Sequence, residues 1–124
     1  MDLIIKKCMK CGATIEVLND CKCDNCGIQC CGEKMRTFVP NTEDASAEKH
    51  LPVVEVVGNE ILVTVPHVME SDHFIEWIEL IDNTRKQRQI LEIGKTAQAK
   101  FPYVKGSIVY AYCNKHGLWS SEVL

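Results

Sequence analysis

The sequence predicts an all-β chain in two parts: a small N-terminal segment held together by metal, then an antiparallel sandwich or barrel. Three observations predict it. Eight of the 124 residues are cysteine, and seven of those lie between residues 8 and 31. After residue 37 the chain changes to short β-branched runs punctuated by Gly and Pro, the pattern of an antiparallel β domain. No segment carries an apolar stripe of helical period over three turns.

The elements follow in order. Residues 1–37 hold the cysteine cluster and little apolar bulk, too little to fold on a core alone, so a bound metal is expected to organise them. Within them only "ATIEVL" (13–18) alternates like a short strand. "FVPNTEDASAEKH" (38–50) is polar and aperiodic and is expected to be a connector. "VVEVV-GNE-ILVTV" (53–65) is a hairpin turning at Gly58 and Asn59. Strands are expected at "FIEWIELI" (74–81), "RQILEI" (88–93) and "GSIVYAYC" (106–113). The basic run "TRKQRQ" (84–89) is expected to be a solvated turn, and Phe101, Pro102 and Tyr103 a loop anchor. Two domains follow, 1–37 and 38–124.

Composition excludes several classes. At 46% hydrophobic and 25% charged, the chain has the profile of an ordinary globular protein. A net charge of −3 argues against nucleic-acid binding through a basic face. No apolar run approaches the roughly 18 residues of a membrane span. "MDLIIKKC" lacks the apolar core of a signal peptide, so a cytoplasmic location is expected. The seven glycines never form the G-x-G-x-x-G of a dinucleotide site.

Clustered cysteines in a reducing compartment point to metal ligands rather than disulfides. "CMKCG" and "CDNCG" are both C-x-x-C-G, a turn that aims two thiolates at one ion, with glycine free to take positive φ. "QCCGEKM" adds the adjacent pair Cys30 and Cys31. Two four-cysteine sets are open: Cys8, Cys11, Cys30 and Cys31, or the ribbon-like Cys8, Cys11, Cys23 and Cys26. The eighth cysteine, Cys113, stands three positions before His116 in "YCNKHGLW". The other histidines are His50, His67 and His73. None of the four falls inside an expected strand; each is at a strand end or in a loop, where a rigid sandwich can present it. A mixed nitrogen and sulfur site is the reading, with iron, copper and zinc its candidate metals.

These residues resemble a known family. "EKHLP", "PHVMESDHFIEWIEL" and "CNKHG" together resemble the superoxide reductases. "CMKCG … CCGEKM" resembles the desulforedoxin-like N-terminal domain of their two-iron members, the desulfoferrodoxins. The resemblance covers nearly the whole chain. It implies an immunoglobulin-like β-sandwich for the second domain and a homodimer. It implies an iron held by His50, His67, His73 and His116 in a plane, with Cys113 axial, and a second iron or zinc held by Cys8, Cys11, Cys30 and Cys31. It implies one-electron reduction of superoxide to hydrogen peroxide, fed by an external donor such as rubredoxin. By the same resemblance Lys49 lies near the open position and steers superoxide, and Glu48 binds the oxidised iron once product leaves. A backbone N–H within "NKHG" is placed to bond the Cys113 sulfur.

The chain departs from the family pattern twice. Val68 replaces a proline after the first histidine of the middle motif, and "CKCDNC" inserts Cys21, Cys23 and Cys26. Trp77 and Ile75, alternating with His73, are expected to wall the site, and Trp119 to pack over it. The rival readings are a zinc-ribbon interaction module, an iron or redox sensor without turnover, and a superoxide dismutase.

Overall fold

The computed structural model describes residues 2–23 and 27–124. Two compact units are present, Asp2–Val39 and Pro40–Leu124.

In the first unit β1 (Ile5–Lys7) pairs with β2 (Thr14–Glu16) on one side, and β3 (Gln29–Cys30) forms a separate hairpin with β4 (Glu33–Lys34). The remaining strand, β5 (Arg36–Thr37), lies on the other side of β1. The strands are two or three residues long. That is too short for a sheet to bury much surface, as the sparse apolar content anticipated. The C-x-x-C-G turn closes with Gly12 N–H donating to the Cys8 carbonyl at 2.9 Å, and Gly12 sits at φ +83°.

The second unit is a sandwich. The short helix α1 (Ala47–His50) leads into β6 (Val53–Val57) and β7 (Glu60–Val65), the expected hairpin, whose Gly58 has φ +63°. Next come β8 (Ile75–Ile81), β9 (Lys86–Ile90), β10 (Ala97–Pro102), β11 (Ile108–Cys113) and β12 (Gly117–Glu122). One sheet has the order β10-β7-β6, the other β12-β11-β8-β9, and every pairing is antiparallel. Period-two burial along β7 and β10 puts Ile61, Val63, Val65, Ala97, Ala99 and Phe101 inward. They meet Ile75, Ile78, Leu80, Val109, Ala111 and Cys113 from the other sheet in one core. Each fully buried Ile, Leu or Val there stabilises the fold by about 1.5–3 kcal/mol.

Several expectations change. The run 84–89 is not one solvated turn: the turn is Asp82–Arg85, where the Asp82 carboxylate accepts the Thr84 and Arg85 N–H groups, and Lys86–Gln89 belong to β9. The basic residues survive in a strand because β9 is a sheet edge with one face outward. Its end at Ile90 is three residues short of the expected one. Phe101 and Pro102 lie in β10 rather than a loop. A register shift at Glu76 separates Ile75 from Trp77: Cys113 pairs with Ile75, whereas Tyr112 pairs with Trp77. This β-bulge reverses the alternation. Ile75 faces the core below the site, while Trp77 stacks on Tyr112 on the other face and does not wall the site.

Candidate metal centre

β11 ends at Cys113, fully buried and pointing inward with the core residues. Asn114, Lys115 and His116 form a three-residue turn, and Gly117, paired with Cys113, opens β12 at φ +74°. A three-residue hairpin needs such a left-handed residue, which explains the glycine after the histidine. The turn brings His116 Nδ1 to 3.9 Å from the Cys113 sulfur. His50 comes from the end of α1, and His67 and His73 lie within the loop between β7 and β8.

The five groups converge: their ligand atoms all lie within 4.8 Å of one another. His67 Nε2 is 3.1 Å from His73 Nε2, and His116 Nδ1 is 3.2 Å from His50 Nε2. The Cys113 sulfur is 3.5 Å from His67 Nε2. Two nitrogens bound side by side to one ion at about 2.1 Å would be about 3.0 Å apart. The ring tautomers agree. His50 Nδ1–H donates to the Ser46 carbonyl at 2.7 Å, and His67 Nδ1–H to the Val68 carbonyl at 2.5 Å. Both rings therefore turn an Nε2 lone pair inward, where a cation is the natural partner. Burial holds His50, His67 and His73 below the usual imidazole pKa, so they are neutral donors near pH 7. Burial also pushes the Cys113 thiol up, against N–H bonds from Lys115 and His116 that favour its thiolate. The His116 N–H lies 3.4 Å from the sulfur, as the turn was expected to provide.

Above these groups opens a cavity of about 330 Å³, lined by the four histidines with Lys49, Val68, Ala45 and Ser46. Lys49 is therefore on the wall. Glu48, exposed on α1, is not among the lining residues. Val68 is half exposed, and it orients His67 through its carbonyl, which a proline would also possess. Trp119 packs over the site as expected: it stacks on His50 at 4.9 Å and donates Nε1–H to the His116 carbonyl at 2.9 Å.

The second cluster is Cys8, Cys11, Cys30 and Cys31. Cys11 and Cys30 sulfurs are 3.6 Å apart, and Cys30 and Cys31 sulfurs 3.9 Å. A tetrahedron with metal–sulfur bonds of about 2.3 Å has edges of about 3.8 Å. Cys31 at φ +54° and Gly32 at φ +77° make the sharp turn that lets adjacent cysteines face one point. Backbone N–H groups of Cys11 and Lys10 lower the Cys8 thiol to about 6, while the Cys11 side chain, first among several causes, pushes Cys30 up to about 12. Of the ribbon-like alternative, Cys23 is exposed and outside the cluster, and Cys26 lies outside the described residues. Cys21 is disulfide-bonded.

Three contributors escaped the sequence reading. Ser46 matters through its carbonyl, which no side-chain pattern reveals. Asn41, at φ +66°, pins the approach to α1 by accepting the Ser120 N–H at 2.9 Å. Asn114 bonds both neighbours of His73. Its place between Cys113 and His116 was the one visible signal.

The chain is similar to known proteins. The Desulfoferrodoxin family model matches residues 42–122. A desulfoferrodoxin from Syntrophotalea carbinolica is 45% identical over 124 residues, covering 97% of this chain and 96% of its own. One from Nitratidesulfovibrio vulgaris is 41% identical over 123 residues, covering 95% and 94%. The crystal structure of the superoxide reductase from Treponema pallidum matches with a TM-score of 0.72 at 27% identity, covering 98% of this chain and 100% of that one. With a family model spanning most of the sandwich and relatives aligned along nearly its whole length, the chain belongs to the desulfoferrodoxin family.

Proposed function

We propose that this protein is a superoxide reductase of the two-iron type. The observation that carries the reading is the convergence of four imidazoles and one thiolate beneath a cavity walled by Lys49. The donor set suits a redox metal: neutral nitrogens and one soft sulfur favour iron or copper over a hard cation. His50, His67, His73, His116 and Cys113 would hold the iron. When bound, the iron supplies the single electron that superoxide needs.

The chain's residues supply the rest. The Lys49 ammonium draws the anion into the cavity and orders the water that delivers protons. The N–H groups of Lys115 and His116 bond the Cys113 sulfur and oppose the burial that raises its pKa, favouring the thiolate form that would donate electron density to a bound iron. Val68 and Ser46 keep two imidazoles from rotating. Glu48, exposed on α1 and outside the cavity lining, would by the family resemblance supply a further carboxylate ligand to the oxidised iron.

The overall step is superoxide plus one electron and two protons giving hydrogen peroxide. The electron comes from an external donor of rubredoxin type. Cys8, Cys11, Cys30 and Cys31 hold a second iron or a zinc in the desulforedoxin-like domain (residues 1–37), while residues 38–124 form the reductase domain. The homodimer rests on the family resemblance, and the cytoplasmic location is the expectation drawn from the sequence. No helix among the described residues is long and apolar enough to cross a membrane.

Product stoichiometry tests the reading. A reductase with excess donor forms one peroxide per superoxide and no dioxygen. A dismutase forms one peroxide per two superoxides and releases dioxygen. Equal turnover with and without donor overturns the proposal in favour of dismutation. Absence of turnover, with a normal iron–thiolate spectrum, assigns a sensor instead.

A further inference from the structure

Asn114 follows Cys113 in the chain, yet its side chain works on a different segment. Its Oδ1 accepts the Phe74 N–H at 2.9 Å, and its Nδ2–H donates to the Asp72 carbonyl at 2.9 Å. Its own N–H donates to the Phe74 carbonyl at 3.2 Å. Asp72 and Phe74 are the two chain neighbours of His73. The carboxamide therefore clamps the peptide units on both sides of one histidine, and its backbone is continuous with the buried cysteine.

The loop needs such a clamp. His73 lies outside the strands, joined to Glu70 by one isolated bridge, with Glu70 N–H donating to the His73 carbonyl at 3.0 Å. Of the four rings, His50 and His67 have Nδ1 fixed by a carbonyl, and the main chain of His116 is tied by Trp119. Among the described residues His73 makes no such ring bond away from the site, so its position depends on where its backbone is held. A carboxamide fits both tasks at once, because it presents one acceptor and one donor from the same group.

We propose that Asn114 is a positioning residue of the mixed histidine–cysteine site: it sets His73 against Cys113 and so fixes the site before any ion arrives. This rests on the reading that the five groups hold a metal. Groups that orient ligands typically change metal affinity by about 10–100-fold when removed, and that range is the expectation for Asn114→Ala. Asn114→Asp keeps the acceptor for Phe74 but sets an oxygen against the Asp72 carbonyl, so it should weaken binding as well, by a smaller factor.

The experiment is anaerobic Fe(II) titration of the full chain against a competing chelator. After oxidation, the Cys113 charge-transfer band reports this site apart from the four-cysteine one. Four proteins form a cycle: wild type, Asn114→Ala, His73→Ala and the double variant. If Asn114 acts through His73, adding Asn114→Ala to His73→Ala changes affinity by less than about 3-fold, well short of its effect alone. Additive losses would make Asn114 a general structural residue and overturn the proposal. So would wild-type affinity and an unshifted band in Asn114→Ala. Should Asn114→Ala fail to fold, Asn114→Asp decides alone: unchanged affinity overturns the clamp. Loss of the underlying metal reading would show differently, as a wild-type protein that takes up no iron at the band assigned to Cys113.

Discussion

His50 and His67 each direct Nδ1–H to a backbone carbonyl, so the inward nitrogen is chosen before a metal binds. At this scale the site is five side chains, two of them oriented by main-chain carbonyls, which explains how much of it the sequence disclosed. The five donors were legible because ligand chemistry restricts residue type. The carbonyls of Ser46 and Val68 were not, because any residue supplies a carbonyl. Two predictions belong here. Cys113→Ser removes the sulfur; the oxidised protein should lose its red charge-transfer band and its activity, while the four-cysteine centre keeps its spectrum. A variant retaining both would refute the axial assignment. Lys49→Ala removes the cation from the cavity wall. Encounter with superoxide should slow several-fold at low salt, and the rate should lose most of its dependence on ionic strength. Rates equal to wild type at low salt would exclude Lys49 from steering.

Elements explain where the reading of the fold failed. The hairpin at Gly58, β8 and β11 were legible from period and turn chemistry. β10 and β12 were not, since "AQAKFP" and "GLWSSE" mix small, polar and aromatic residues whose burial is decided by neighbours. The bulge at Glu76 has no sequence signal at all, yet it decides which face Trp77 takes. That face contains an ion pair: Glu79, only 2% exposed, accepts Arg88 Nε–H at 2.6 Å, and the guanidinium lies 4.3 Å above the Trp77 ring. The basic run expected to be solvated thus supplies the counter-charge of a buried carboxylate. Arg88→Ala removes the counter-charge from that carboxylate and should destabilise the protein by about 3 kcal/mol, toward the low end for a broken buried pair because Arg88 is partly exposed. Urea denaturation measures it, and a loss below about 1 kcal/mol would show that Glu79 does not rely on Arg88. Pairing Arg88→Ala with Glu79→Gln should recover part of the loss.

On the scale of the molecule, two units each gather a metal-ligating cluster, and the two clusters have opposite chemistry. The sandwich has a core that holds its site from below; the first unit has short strands and a cluster of four thiols. Its dependence on metal should therefore follow thiol ionisation. Cys30 is pushed up to about 12 and Cys31 is raised too, so both are protonated at pH 7 and must release protons when metal binds. Cys8, lowered to about 6, is already a thiolate at pH 7 and releases none. The sign follows: affinity rises with pH throughout, and the slope steepens below about pH 6, where Cys8 too must lose a proton. Zinc or iron competition against a chelator between pH 5 and pH 8 would reveal the break, followed in a Cys113→Ser background so that only this centre reports. A constant slope through pH 6 would mean that Cys8 is not the pre-ionised ligand. A slope that vanished above pH 6 would mean that Cys30 and Cys31 bind without losing protons, which a four-thiolate centre does not allow.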